Sequence, residues 1–153
     1  MDNHASHHSS VNRVEDLRLI TGAGKYAADW NAPGQLHAYF VRADRAHAEI
    51  LSVDTSAARA HSGVHLVLTG AQWRSTGLKN MPPLANFTRP DGQPAATAPR
   101  CPLAFERVRF VGEPVVAIVA DTEQQARDAV EAVVVDFEEL PCAVTLDDAL
   151  APG

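Results

Sequence analysis

The feature that most constrains the fold is a strand–helix–strand pattern between Val115 and Phe137. Val115–Ala120 (VVAIVA) is a continuous apolar run, which is typical of a strand covered on both faces. Thr122 and Gln125 follow in a T-x-x-Q capping pattern that favours the start of a helix. The β-branched run Val133–Phe137 then predicts another strand. Between cap and strand, apolar residues recur at i, i+3, i+4 and i+7 and give one apolar helical stripe: Ala126, Ala129, Val130 and Val133.

A shorter unit upstream repeats this order. Ile50–Val53 reads as a strand, and either Asp54 or Thr55 can cap the helix that follows it. Gly63 ends this helix because glycine tolerates a left-handed conformation, and Val64–Leu68 is the next strand. Two such units predict an α+β or α/β architecture in which short helices lie on a mixed sheet. Further elements are predicted at Gln35–Arg42 (a strand) and Thr145–Leu150 (one or two helical turns).

Three segments fall outside this regular pattern. Residues 1–12 are polar and rich in histidine, and we expect a flexible tail there instead of a metal site. Residues 76–103 contain six prolines and an RPDGQP turn, which predicts a long surface excursion from the domain at 13–150. Residues 151–153 resemble an interdomain linker as much as a terminus.

Composition narrows the class of protein. The 153 residues are 46% hydrophobic and 21% charged, which suits one globular domain with a real core. The net charge of -6 argues against a nucleic-acid partner, which requires clustered lysine and arginine. The sequence has neither a signal-peptide pattern nor an apolar run long enough to cross a membrane, so we expect a cytoplasmic protein without membrane contact. Cys101 and Cys142 are expected to be free, buried or partly buried thiols, although a disulfide is possible.

The stretch LITGAGKYAAD, residues 19–29, raises the question of a phosphate site. A phosphate-binding loop requires G-x-x-x-x-G-K-[ST], but Leu19 stands at the first glycine position and Tyr26 follows Lys25. A dinucleotide fingerprint also fails because Ala27 replaces the third glycine. We therefore interpret the glycines as a bend that allows a close approach of the chain, with Lys25 in solvent.

Few residues are candidates for acid–base catalysis or metal binding. The sequence has no HExxH motif and no GxSxG elbow. His47 precedes a strand and is expected to be a partly buried packing residue, with a role as base or ligand as the alternative. Glu113, in the Gly112–Pro114 turn, is expected to be solvated, with acid–base work or a partner contact as alternatives. A small hydrolase using His47 and Glu113 ranks last because no nucleophile accompanies them.

Four stretches together resemble one protein family. They are GAGKYAADWNAPGQLHAYFVRADRAHAEILSVDTSAA, GVHLVLTG, PLAFERVRFVGEPVVAIVADT and VVVDFEELP, in that order. They are similar to the N-terminal part of the large, molybdopterin-binding subunit of the xanthine dehydrogenase, aldehyde oxidase and carbon monoxide dehydrogenase family. The resemblance covers residues 13 to 150 and implies a single α+β domain of the a/b hammerhead type.

The resemblance also implies a function. The family hydroxylates aldehydes or N-heterocycles, or oxidises carbon monoxide, at a molybdenum–molybdopterin centre that passes electrons through [2Fe–2S] clusters to FAD. The family's catalytic and cofactor-binding residues lie in later segments, so we assign no catalytic, cofactor-binding or metal-binding residue to this chain. We expect a hammerhead component of a molybdenum hydroxylase, either a split subunit or a fragment of the large one, that has no activity alone.

The expected partners are the molybdopterin-binding remainder of the large subunit and the iron–sulfur and FAD subunits. We expect contacts with these partners at His47, Gly112, Glu113 and Pro114. The alternative is a standalone interaction or assembly module that retains the fold without enzyme activity.

Overall fold

The structure, a computed structural model, describes residues 13–82, 87–95, 97 and 100–151. They belong to two compact units, which divide after Gln35. The predicted tail at 1–12 and residues 152–153 of the predicted linker lie outside the described residues. The domain limits at 13–150 remain a prediction.

The first unit contains a short helix, α1 (Asp16–Ile20), and a single 3-10 turn at Ala27–Asp29. Gly22 has a φ of 73°, and a Cβ on Gly24 would lie 2.6 Å from Cδ2 of Leu19. The predicted bend with a close approach of the chain is therefore confirmed. Lys25 is exposed, and its amine lies 4.9 Å from the centre of the Trp30 ring. Sequence reasoning missed α1, which buries no residue.

The second unit carries the remaining elements. Its helices are α2 (Ser56–Ala60), α3 (Gly70–Ser75), α4 (Glu123–Glu131) and α5 (Leu146–Leu150). Its strands are β1 (His37–Arg42), β2 (Ala48–Asp54), β3 (Val64–Thr69), β4 (Arg107–Val108), β5 (Pro114–Ala120) and β6 (Val134–Glu139). Among the described residues these strands form two three-stranded sheets, ordered β1-β5-β3 and β4-β2-β6, and every pairing is antiparallel.

The α+β, hammerhead-type fold is confirmed, with short helices on its sheets. The strands divide between two antiparallel sheets, where the sequence analysis expected one mixed sheet. The reason lies in the two strand–helix–strand units, which each run from one sheet to the other: β2 leads through α2 to β3, and β5 leads through α4 to β6. A crossover between sheets does not have to place its strands in parallel.

The core lies beneath β5, the central strand of the first sheet. Val116 and Ile118 are completely buried, and α4 packs against β5 and β1 through Ala126 and Ala129, which are also completely buried. Val130 is half-buried at the edge of the same core. The apolar stripe predicted for this helix is therefore confirmed.

Side-chain caps fix where these helices begin. The Asp54 carboxylate accepts a hydrogen bond of 2.8 Å from the N–H of Ser56, the first residue of α2, whereas Thr55 occupies the N-cap position without a side-chain cap hydrogen bond. This backbone N–H lowers the pKa of Asp54 below its usual value. Thr122 accepts from the N–H of Gln125 at 3.2 Å and begins α4 as predicted.

The described part of the proline-rich segment contains two isolated β-bridges and no regular helix. The predicted RPDG turn is present, since the N–H of Gly92 donates to the Arg89 carbonyl at 2.9 Å and Gly92 has a φ of 81°. A membrane-spanning helix needs about 20 apolar residues. The longest helix of the described residues, α4, has 9, and none meets that requirement.

Candidate partner-contact site

Three loops of the second unit meet at one end of its sheets. Residues 43–47 connect β1 to β2, residues 109–113 precede β5, and residues 140–144 follow β6. Backbone hydrogen bonds join them: Gly112 N–H donates to the Ala43 carbonyl at 2.7 Å, and Ala43 N–H donates to the Glu113 carbonyl at 2.9 Å. Leu140 N–H donates to the His47 carbonyl at 2.9 Å. The structure thus brings the segments that carry His47 and Gly112–Pro114 to the same end of the sheets. We call residues 43–47, 109–113 and 140–144 together the loop surface.

A tight turn precedes β5, as predicted, and it spans Phe110–Glu113. Glu113 N–H donates to the Phe110 carbonyl at 3.2 Å, and Gly112 has a φ of 90°. A β-turn with positive φ at its third residue favours glycine there because no Cβ must be accommodated. Arg42 secures the turn from the side by donating from Nη1 to the Gly112 carbonyl at 2.8 Å. Pro114 begins β5, a position where a strand does not need the missing N–H.

The expectation of a solvated Glu113 is wrong. Glu113 is only 3% exposed, and its Oε2 accepts a hydrogen bond of 2.6 Å from the backbone N–H of Arg109. The Arg109 guanidinium lies 3.5 Å from the other carboxylate oxygen. A buried carboxylate requires such partners, because an unpaired charge in the interior is strongly unfavourable. Glu113 therefore holds the loop at 109–113 in shape, and the side chains of that loop form the outer surface.

His47 is a partly buried packing residue, as expected. Its Nδ1 donates to the Pro141 carbonyl at 2.6 Å, which requires the proton to be on Nδ1. This bond and the backbone bond to Leu140 attach the segment after β6 to the start of β2. His47 therefore organises the loop surface, and its Nε2 is the nitrogen left for a further contact.

A groove of about 600 Å³ lies between these loops. Its apolar lining includes Phe110, Val111 and Val144, which are 56%, 65% and 80% exposed. Cys142 also lines the groove and is exposed, which differs from the expected burial, whereas Cys101 is buried; both thiols are free. Exposed apolar side chains that lie together in this way are typical of interaction surfaces, including those that bind another protein.

Sequence reasoning missed Arg109, Phe110 and Val111, although they stand directly before the Gly112–Pro114 segment that it selected. The pair Phe110-Val111, apolar but adjacent to a turn, was the available signal. Its exposure depends on the burial of Glu113, which no local pattern reveals.

The geometry does not support a hydrolase site at His47 and Glu113. His47 and Glu113 are bound to different partners, His47 to Pro141 and Glu113 to Arg109, so neither side chain orients the other. In the part of the chain that the structure describes, no three His, Cys, Asp or Glu side chains lie close enough to hold a metal ion.

Comparison with known proteins identifies the family. Residues 21–141 match the family model described as "Aldehyde oxidase and xanthine dehydrogenase, a/b hammerhead domain". The chain belongs to this family. The resemblance stated from the sequence is thereby confirmed.

Individual relatives of the hammerhead chain are large subunits. It is 47% identical over 132 residues to the nicotine 6-hydroxylase large subunit of Paenarthrobacter nicotinovorans, covering 85% of this chain and 15% of that protein. It is 42% identical over 140 residues to the carbon monoxide dehydrogenase large chain of Afipia carboxidovorans, covering 92% and 16%. The crystal structure of a Cu,Mo-CO dehydrogenase, in its carbon monoxide reduced state, superposes with a TM-score of 0.78 at 40% identity, covering 92% of this chain and 16% of that one.

The hammerhead chain thus spans about one sixth of the length of these relatives. Because the chain spans only this part of its relatives, we assign no step of a redox reaction to its side chains.

Proposed function

We propose that this chain is the hammerhead component of a molybdenum hydroxylase and has no activity alone. The observation that carries the proposal is the match itself: almost the whole chain aligns with about one sixth of large subunits that act on nicotine or carbon monoxide by name. The proposed substrate class is accordingly an aldehyde, an N-heterocycle or carbon monoxide. The reaction belongs to the assembled enzyme.

The partners follow from the same proposal. The first is the molybdopterin-binding remainder of the large subunit, and the others are an iron–sulfur subunit and an FAD subunit. The assembled enzyme then uses molybdopterin-bound molybdenum, [2Fe–2S] clusters and FAD. The name of the Cu,Mo-CO dehydrogenase supports molybdenum directly, whereas the iron–sulfur and flavin groups rest on the family resemblance.

Exposed apolar surface supports a docked component. In the first unit, Leu17 and Ile20 of α1 are 70% and 80% exposed. In the second unit, Phe110 and Val111 of the loop surface are 56% and 65% exposed. Burying such side chains against a partner contributes about 1.5–3 kcal/mol each before the entropic cost.

The contact at the loop surface is part of the proposal. His47 offers Nε2, and the turn at Phe110–Glu113 presents the exposed side chains of Phe110 and Val111. Glu113 contributes indirectly, since its side chain is buried and holds the turn in shape.

The test is affinity purification, from its own host and under gentle conditions, of the polypeptide that contains these residues. Molybdenum is measured by inorganic mass spectrometry, and flavin and iron–sulfur groups by their visible absorption. The proposal predicts about one molybdenum per hammerhead polypeptide together with flavin and iron–sulfur bands. A pure, colourless protein without molybdenum would contradict it and would favour the standalone interaction or assembly module.

A further inference from the structure

The sheet β1-β5-β3 has two faces of different character, and one of them has no cover. Neighbouring residues along a strand point to opposite faces, so the register assigns each side chain to a face. Ala38 pairs with Val119 and Val119 with Leu66, while Phe40 pairs with Ala117 and Ala117 with Leu68. These two cross-strand rows, six apolar residues in all, form what we call the open face.

The opposite face is covered by helices. Its central row is Tyr39, Ile118 and Val67, of which Ile118 is completely buried and Val67 is 3% exposed. Helix α4 lies over this side, and the guanidinium of Arg127 sits 5.1 Å from the centre of the Tyr39 ring. The core of the unit is therefore on this side of the sheet.

The open face remains accessible even at the central strand. Ala117 and Val119 of β5 are only half-buried, whereas their neighbours Val116 and Ile118 are completely buried. On the two outer strands, Phe40 and Leu66 are 38% and 47% exposed. An antiparallel sheet with one solvated face normally alternates apolar and polar residues along its strands, and β5 departs from that pattern because it is apolar on both faces.

The size of the open face indicates what covers it. Three strands about 4.8 Å apart, over some three residues each, present roughly 150 Å². A stable interface between separate chains buries about 800 Å² on each partner. The open face alone is therefore too small to hold a second copy of this chain. It suits a contact inside a larger assembly that other surfaces also hold together, because the second contact then costs little association entropy.

The chemistry of the face and the length of the relatives point to one occupant. None of the six residues is charged, and the guanidinium of Arg42 lies 5.7 Å from the centre of the Phe40 ring at the rim. The occupant must therefore present apolar side chains. In the relatives, about five sixths of the large subunit lies outside the region that this chain matches.

We propose that the open face of β1-β5-β3 is a docking surface for an apolar segment of the molybdopterin-binding remainder of the large subunit. This inference rests on the proposed function and adds a second contact to the loop surface. The side of the sheet that faces the partner is the side away from α4.

Thiol labelling of the assembled protein tests the proposal. Ala38→Cys and Leu66→Cys place single probes on the two outer strands of the open face, in a Cys142→Ser background that removes the exposed native thiol. Gln124→Cys, exposed on α4 at the opposite side of the same sheet, is the matched control. Each variant is purified from its host, treated with a maleimide and analysed by peptide mass spectrometry. Because two open-face probes are used, a variant that fails to assemble does not end the test.

We expect the open-face thiols to react at least about tenfold more slowly than the control thiol in the assembly, because a covered thiol reacts only when the contact opens. Equal labelling rates in a particle that contains a molybdopterin-binding polypeptide would overturn the docking surface and leave the proposed function intact. Purification without any such polypeptide would overturn both. Protection in a particle made only of copies of this chain would overturn the proposal in favour of self-association.

Discussion

Replacing Glu113 by alanine should lower the free energy of unfolding by about 2–4 kcal/mol. The bond that is lost is short, 2.6 Å from the backbone N–H of Arg109 to a carboxylate that is 3% exposed. Hydrogen bonds to charged groups contribute about 1.5–3 kcal/mol, and their loss leaves the N–H without its partner. The contact with the Arg109 guanidinium is longer, 3.5 Å, and partly exposed, so it adds less than about 1 kcal/mol.

The assay is urea unfolding at pH 7, followed by circular dichroism, with the midpoint and the slope fitted together. Glu113→Gln should fall between wild type and Glu113→Ala, since an amide oxygen accepts the same bond without the charge. Glu131→Ala, at an exposed position of α4, is the control and should stay within about 0.5 kcal/mol of wild type. If Glu113→Ala also stayed within that range, Glu113 would be the solvated turn residue that the sequence suggested, and its role in shaping the loop surface would be refuted.

Four further substitutions test the fold. Gly70→Ala should cost at least about 2 kcal/mol, because a Cβ there would overlap the carbonyl oxygen of Ala104, and an unchanged stability would contradict that close approach. Ile118→Ala should cost about 2–5 kcal/mol, whereas Leu66→Ala should cost under about 1 kcal/mol in the separated chain, and equal losses would contradict the assignment of a covered and an open face. Asp54→Ala should lower Tm at pH 7, and the difference should begin to shrink as the pH falls below about 4 and disappear below the lowered folded-state pKa, since the carboxylate stabilises only while it is ionised. Thermal melts across this range would refute the cap if the difference were independent of pH.

Elements fixed by local chemistry were predictable from the sequence. Helix α4 has a local start signal, the Thr122 cap, and a local apolar stripe. The β-branched run that follows has a low helix propensity, which marks where the helix ends. Helix α3 was missed although it carries the same signal: Thr69 accepts from the N–H of Gln72 at 3.2 Å in another T-x-x-Q pattern. The flanking proline-rich segment obscured it.

Features that depend on distant residues were not predictable. The division into two sheets is set by pairings such as His37 with Ala120 and Ala48 with Glu139, which no local pattern specifies. The burial of Glu113 depends in the same way on how neighbouring elements pack around it.

For the candidate site, the sequence selected residues at two of the three loops and assigned the wrong environment to one side chain, Glu113. His47 was expected to be partly buried and is, but its bond to Pro141 joins residues 94 positions apart. The exposed side chains of Phe110 and Val111 follow from the same long-range packing, so the groove was visible only in three dimensions.

The central claim is that this hammerhead chain works only as part of a molybdenum hydroxylase. Native mass spectrometry of the gently purified polypeptide tests it most directly, because it weighs the intact assembly and then the components released on activation. The account predicts an assembly that contains a molybdopterin-binding polypeptide with iron–sulfur and flavin subunits. A lone species of the chain's own mass, or a homo-oligomer of it, would contradict the claim.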